Sequence, residues 1–437
     1  MRIKTDANAE HPTVTGRSLT MTDFSPRKLL PVVAAVAALT MSATASAAVF
    51  VQCGPGNTGV DGTGQIKSVL PPGVQCKHLS AGDGFITMAD RRNLYVFGFA
   101  DVTGKPAADV TLDPLEANFS APTIELTEGN DFYLTLSNVS MAMRPDLFDP
   151  HTVHFHGFAQ AAPVFDGMPE GSFGVNMGSS VTYFYRLNDP GTYMYHCHQE
   201  ATEHMQMGML GNLYVKPKQD GVLAPGAPNP TSIPTVVNSK PLAGYVYNDG
   251  DASTGYHVSK ALQLSSMDHN FHDASLSINP LPFKNMRDTY AMINGRGYPD
   301  TVNPAPLPTP TDADGNSLNN DTQSQPISAL VEAKQGERIL LRLSNLSVTN
   351  YYTITAHGLP MKVVGSGARQ LRGPDGKDLY YETSSVTLGG GESAEVLIDT
   401  TGVAVGTYFL YTTNLNYLSN FDQDNGGMMT EVVIAAQ

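Results

Sequence analysis

The sequence contains no tryptophan and only three cysteines, Cys53, Cys76 and Cys197. Charge is sparse as well: 15% of the 437 residues are Asp, Glu, Lys or Arg. Acidic side chains outnumber basic ones 41 to 26, a net charge of −15. No basic cluster offsets that excess, which disfavours nucleic acid and anionic membrane surfaces as partners. Amphipathic 3.6-residue periodicity is scarce, which argues against a helical architecture. Beyond residue 47 no apolar run is long enough to cross a bilayer.

The one long apolar stretch lies near the start, in "MTDFSPRKLLPVVAAVAALTMSATASA" (21–47). A charged Arg27-Lys28 start, a short apolar run and Ala45-Ser46-Ala47 form the layout of a secretory signal, with cleavage expected before Ala48. Residues 1–20 sit oddly before such a signal, and Met21 is a candidate true start. Export to a periplasmic or extracellular compartment permits disulfides. Cys53 and Cys76 bracket a Gly/Pro-rich loop and are expected to pair. Cys197 is then left alone, and an unpaired thiol in an oxidising compartment needs an occupant.

What is abundant is short runs of Val, Ile, Tyr, Phe and Thr punctuated by Gly, Pro and Asn. "NLYVFGFADV", "DFYLTLSNVS", "SVTYFYRL", "GNLYVKP", "RILLRLSNLS" and "SAEVLIDT" all read as strands. The fold class is therefore all-β, of sandwich type. The chain also repeats itself. "IELTEGNDFYLTLSNVS" (124–140) matches "LVEAKQGERILLRLSNLS" (330–347), "HTVHFHGFA" matches "YYTITAHGLP", and "DPGTYMYHCH" matches "AVGTYFLYTTN". Duplicated domains follow: an extension and signal over 1–47, a first domain over 48–216, a Pro-rich linker over 217–255 and a second domain over 256–437. Another Pro-rich stretch, 302–326, reads as a surface loop inside the second copy.

The copies differ in chemistry. Six of the twelve histidines fall in "HTVHFHG" (151–157) and "GTYMYHCHQEATEHMQMGM" (191–209). Where the first copy has His151, His154, His156, His196, Cys197 and His198, the second has Tyr352, Thr355, His357, Tyr411, Thr412 and Thr413. On a strand, alternate residues face one side, so His154 and His156 point together, as do His196 and His198, while Cys197 points the opposite way. Cysteine, two histidines and a distant methionine make a trigonal blue-copper site with a weak axial thioether. A lone histidine in a strand is ordinarily structural. Six of them beside one unpaired exported cysteine, with Met209 following, are better read as metal ligands. Met205 and Met207 read as core fillers. His257, His269 and His272, in loop-like sequence, read as structural or exposed. Nothing in the spacing of Glu200 and Glu203 demands a proton relay.

His151-x-x-His154-x-His156-Gly157 and His196-Cys197-His198…His204…Met209 resemble the paired copper motifs of multicopper oxidases, the laccase-like cupredoxin family. "INGRGYPDT" (293–301) is similar to that family too, and the likeness runs from about Asn93 onward. It implies two Greek-key cupredoxin sandwiches. It implies type 1 copper on His151, Cys197, His204 and Met209, and type 2/3 copper on His154, His156, His196 and His198. A small-molecule or metal-ion reductant would then give electrons that pass to oxygen. The gap from Cys197 to His204 is two residues longer than the usual laccase loop. The family's full oxygen-reducing cluster takes four His-x-His pairs, whereas this chain has two, both in the first copy. A homo-oligomer that pools histidines is one expectation, and a blue copper electron carrier or copper-handling protein without turnover is another. The third is likeness to two-domain copper nitrite reductases. There His156 and His196 would be ligands and His357 the catalytic histidine, although Thr413 and His154 stand where that family has a ligand and a carboxylate.

Overall fold

The computed structural model describes Leu70 and residues 72–437, apart from 107–108, 113, 278–279 and 425. The expected signal, its cleavage point and Cys53 lie outside the described residues. Eight strands build a first sandwich: β1 (Val74–Thr87), β2 (Asn93–Asp101), β3 (Ala121–Thr127), β4 (Asp131–Asn138), β5 (His154–Phe155), β6 (Ser180–Arg186), β7 (Gly191–His196) and β8 (Leu210–Lys216). One sheet has the order β2-β1-β4-β6 and the other β3-β8-β7-β5. β1 pairs parallel to β4, and β3 parallel to β8; the remaining pairs are antiparallel. Crossed parallel pairs of this kind mark Greek-key connections.

The second sandwich repeats the plan. Val258–Met267 runs parallel to Arg338–Asn345, as β1 does to β4, and Val331–Lys334 runs parallel to Met429–Ala435, as β3 does to β8. The correspondence reaches single residues: His154 is opposite His196 in the first sandwich, and Thr355 is opposite Tyr411 in the second. These are the same pairs that the internal repeat aligns. The fold is thus all-β and of two cupredoxin-type sandwiches, as expected.

Period-two alternation explains how the halves meet. On β2, Tyr95, Phe97 and Phe99 enter the first sandwich's core, while Leu94 and Val96 join Met267, Tyr290 and Met292 in a separate apolar layer between the sandwiches. On β7, Tyr193 and Tyr195 go to the core and Met194 to that shared layer. Strands buried on both faces read as continuous apolar runs, and "LYVFGF" (94–99) is one. The second sandwich has its own core of Leu, Ile and Val from Leu262 to Ile434.

One expectation changes and another is refined. His269 and His272 are not in a loop but on a short helix, His269–Ser275, whose N-cap Asp268 accepts a hydrogen bond from the Asn270 amide. The stretch 302–326 lacks strands and is mostly exposed, the surface loop expected, but it is anchored at two points. It returns to the first sandwich, where the buried Asn319 side chain accepts from the Phe85 amide (2.8 Å) and donates to its carbonyl (2.7 Å). Gln325 Oε1 accepts from the Thr87 amide at 3.1 Å. Such side-chain caps replace a missing ladder strand. Among the described residues, no helix is long and apolar enough to cross a membrane.

Candidate metal centre

β7 is the organising element. It ends at His196, so Cys197 and His198 continue its alternation from the strand's end. The Cys197 thiol is buried in the first core, in the cluster that also holds Met141, Val153, Phe155 and Met209. Its neighbours His196 and His198 lie on the opposite face. One peptide segment therefore separates two clusters.

On the core side, Cys197 Sγ is 3.2 Å from His204 Nδ1 and 3.8 Å from His151 Nδ1. The two imidazole rings are 5.0 Å apart, and the Thr152 amide donates to Sγ at 3.4 Å. His204 is brought there by a helix, Ala201–Met207, which absorbs the longer gap after Cys197. Gly208 closes that helix with φ +118, donating to the His204 and Met205 carbonyls. The chain then returns: the Met209 amide donates to the His204 carbonyl (2.9 Å), and the Cys197 amide to the Met209 carbonyl (3.1 Å). The fully buried Met209 is thereby tied to both partners. The ring of Phe97 packs edge-on against His204 at 5.8 Å.

Burial dominates the electrostatics here. It pushes the Cys197 thiol up to about 11, takes His204 down to about 4 and holds His151 well below its ordinary value. At neutral pH the imidazoles offer lone pairs and the thiol keeps its proton, which metal binding must expel. His204 Nε2, buried and without a hydrogen-bond partner, lies 4.0 Å from Asp149 Oδ2. Asp149, Glu200 and His204 also bring their ligand atoms together. Burial raises Glu203, on the same helix, to about 7.

The other face holds four imidazoles. His154 is centred 5.5 Å from His156, 5.4 Å from His196 and 4.8 Å from His198. The Nδ1 atoms of His154, His156 and His196 each meet a carbonyl: Asp166 at 2.6 Å, Gly391 at 3.1 Å and Cys197 at 2.7 Å. A carbonyl only accepts, so each Nδ1 carries the ring's proton and each Nε2 is left as a lone pair. Yet His156 Nε2 and His196 Nε2 are 2.9 Å apart. Two lone pairs at that separation repel, so the rings either part slightly or take up a cation, and the donor set fits a metal. Burial lowers all three basicities, His196 to about 3. The cluster opens on a hollow of about 720 Å³ lined by Asp166, Arg369, Gly391 and Ser393 among others.

All eight residues that the sequence nominates thus lie in two groups. His151, Cys197 and His204 converge in one, with Met209 tied to it by the backbone. His154, His156 and His196 converge in the other, with His198 stacked beside them. His357 is exposed and in neither group. His257, His269 and His272 are structural: His272 bridges the Tyr95 and Gln206 carbonyls, His269 stacks on Phe421 at 4.1 Å, and His257 Nδ1 accepts from the Arg338 amide. Met205 and Met207 pack against apolar clusters. Missed from sequence were the carbonyls of Asp166 and Gly391 and the carboxylate of Asp149. A backbone oxygen leaves no mark in a motif, and Gly391 lies 235 positions from its histidine.

Comparison with known proteins bears on both groups. Family models described as "Multicopper oxidase" match residues 105–220 and 273–432, together more than half of the chain. The chain is 27% identical over 188 residues to the laccase abr2 of Aspergillus fumigatus, covering 42% of this chain and 28% of that protein. It is 24% identical over 270 residues to copper resistance protein A of Pseudomonas syringae pv. tomato, covering 61% of this chain and 40% of that protein. It spans less than half the length of either. Among solved structures, a blue copper oxidase from Nitrosomonas europaea aligns over 83% of this chain and 86% of its own, with a TM-score of 0.57 and 20% identity. A copper nitrite reductase from the same organism aligns over 83% and 94%, with a TM-score of 0.53 and 14% identity. At these identities the structural matches speak for the fold alone.

Proposed function

Because the chain belongs to the multicopper oxidase family, we propose that it is an exported copper-dependent oxidoreductase. In this reading His151, Cys197, His204 and Met209 hold type 1 copper, and His154, His156, His196 and His198 hold type 2/3 copper. The domain limits are those expected from the repeat: first sandwich to 216, linker over 217–255, second sandwich from 256. Copper, when bound, supplies one-electron acceptance at the thiolate group and the redox capacity for oxygen reduction at the imidazole group. The protein's part is to hold and orient. Burial around Cys197 excludes water, and the Met209 and His204 backbone bonds fix the thiol's neighbours. His204 lies between the thiol and the Asp149 carboxylate, marking that side as the one a reductant approaches. Phenols, metal ions and a redox protein are all compatible reductants.

The observation that carries this reading is the backbone connection: Cys197 of one group lies between His196 and His198 of the other. Its test is copper reconstitution, followed by the blue thiolate band, copper per chain and oxygen uptake with a phenol or Cu(I) as donor. Cys197→Ser should abolish the band and the uptake. Colourless reconstituted protein, or uptake indifferent to Cys197→Ser, would end it.

A second reading rests on the histidine count. Four imidazoles are half of the family's full cluster, and three of them are only partly buried, two of these lining an open hollow. Either copies of the chain pool histidines in a homo-oligomer, or the protein is a blue copper electron carrier or copper-handling protein without turnover. Mixing wild-type subunits with a His154→Ala/His156→Ala variant separates these. Pooling gives an activity loss steeper than dilution, and a carrier shows the blue band without oxygen uptake.

A further inference from the structure

We infer that Gly391, on the copper-poor sandwich, is a positioning residue for the imidazole group, an inference that rests on the metal-site reading above. Its carbonyl keeps His156 in the Nδ1–H tautomer, with Nε2 turned toward His196.

The bond itself is His156 Nδ1 to Gly391 O at 3.1 Å. The turn that presents the carbonyl is held from within the second sandwich. The Gly391 amide donates to the Asn345 carbonyl at 2.8 Å, and the fully buried Asn345 side chain donates to the Leu388 carbonyl at 2.9 Å. Gly391 has φ +89, and a Cβ placed there would lie 2.4 Å from His156 Nδ1. Only glycine lets the carbonyl approach while leaving the ring its place.

The strand that follows the turn, Glu392–Asp399, and its partner Arg338–Asn345 continue the same grip. Ser393 Oγ donates to the Thr192 carbonyl (2.8 Å), Glu395 Oε1 accepts from the Thr192 amide (2.7 Å), and Arg342 Nη1 donates to Thr192 Oγ1 (3.1 Å). Every polar group of Thr192 is thus satisfied by the second sandwich, through a buried Glu395 and a buried Arg342. Thr192, Met194 and His196 share one face of β7, the face the second sandwich covers. The half of the molecule that lacks most metal-type side chains therefore orients those of the other half.

The test uses full-length apo protein labelled with ¹⁵N-histidine, His156 being assigned by its absence from a His156→Gln spectrum. In wild type the His156 imidazole shows a protonated Nδ1 and a bare Nε2. In Gly391→Ala that signature is lost or mixed. In Gly367→Ala it stays, because Gly367 also has positive φ and lines the same hollow but has nothing within 4 Å of its Cβ position. After copper loading, Gly391→Ala should bind the non-blue copper about 10–100-fold more weakly while the blue band persists. A wild-type spectrum with the proton on Nε2 would overturn the inference outright, whatever the variants do. So would an unchanged His156 in Gly391→Ala, or an equal loss in Gly367→Ala. Wild type that binds no non-blue copper would instead defeat the type 2/3 reading, and the apo tautomer would still decide the role of Gly391.

Discussion

The two sandwiches carry the same backbone frame around one ligand pocket and differ in what they put into it. In the first, the Cys197 amide donates to the Met209 carbonyl at 3.1 Å and the Met209 amide to the His204 carbonyl at 2.9 Å. In the second, the Thr412 amide donates to the Met428 carbonyl at 3.2 Å and the Met428 amide to the Tyr417 carbonyl at 2.8 Å. The rings of His151 and His204 are 5.0 Å apart, and those of Tyr352 and Tyr417 are 5.2 Å apart. A positive-φ glycine precedes each methionine, Gly208 and Gly427. Thr412 Oγ1, where the thiol would be, is buried without a hydrogen-bond partner. The frame is thus a property of the fold, and on the proposed reading metal chemistry is a property of three side chains set into it.

That comparison can be broken most sharply at its centre. Cys197→Ser should remove the blue band completely, whereas Thr412→Ser should leave it at full intensity. Absorption spectra of the two copper-loaded variants decide it, and a lost band in Thr412→Ser would contradict the account. The converse is a gain. Tyr352→His, Thr412→Cys and Tyr417→His together, with Met428 kept, should add about one copper ion per chain and a second thiolate band, since the frame already meets the ligand requirements. Metal analysis against wild type reads this directly.

Smaller effects sharpen the same contrast. Thr192→Val strands the Arg342 donor in a buried interface and should cost about 1–3 kcal/mol, seen as a lowered midpoint in chemical denaturation. If Met209 holds the proposed type 1 copper, Met209→Leu should keep copper but shift the colour and raise the reduction potential, because a weakly bound thioether tunes both. Met428→Leu, a near-isosteric swap in a core that lacks the histidines and the thiol, should change stability by less than about 1.5 kcal/mol and leave the spectrum alone.

Much of this was legible in the sequence because it is local. Alternation over "HFH" and "HCH" gives the facing of the side chains, and the repeat gives the register that places Thr355 opposite Tyr411. What escaped is what depends on distant or backbone groups. The helix Ala201–Met207 is too short for periodicity to announce it. Asn319 and Gln325 look like loop residues until β1 is seen to need them. His269 and His272 lie in sequence with no apolar period, yet Asp268 caps them into a helix. Gly391 acts through a carbonyl, which every residue owns.

The central claim is that two separable metal groups occupy opposite faces of one strand end, divided by the Cys197 backbone. Copper analysis combined with electron paramagnetic resonance on a His154→Ala/His156→Ala variant tests it most directly. The account predicts a full type 1 signal with the remaining copper gone. A type 1 signal that disappears along with it, or a copper content equal to wild type, would contradict the account.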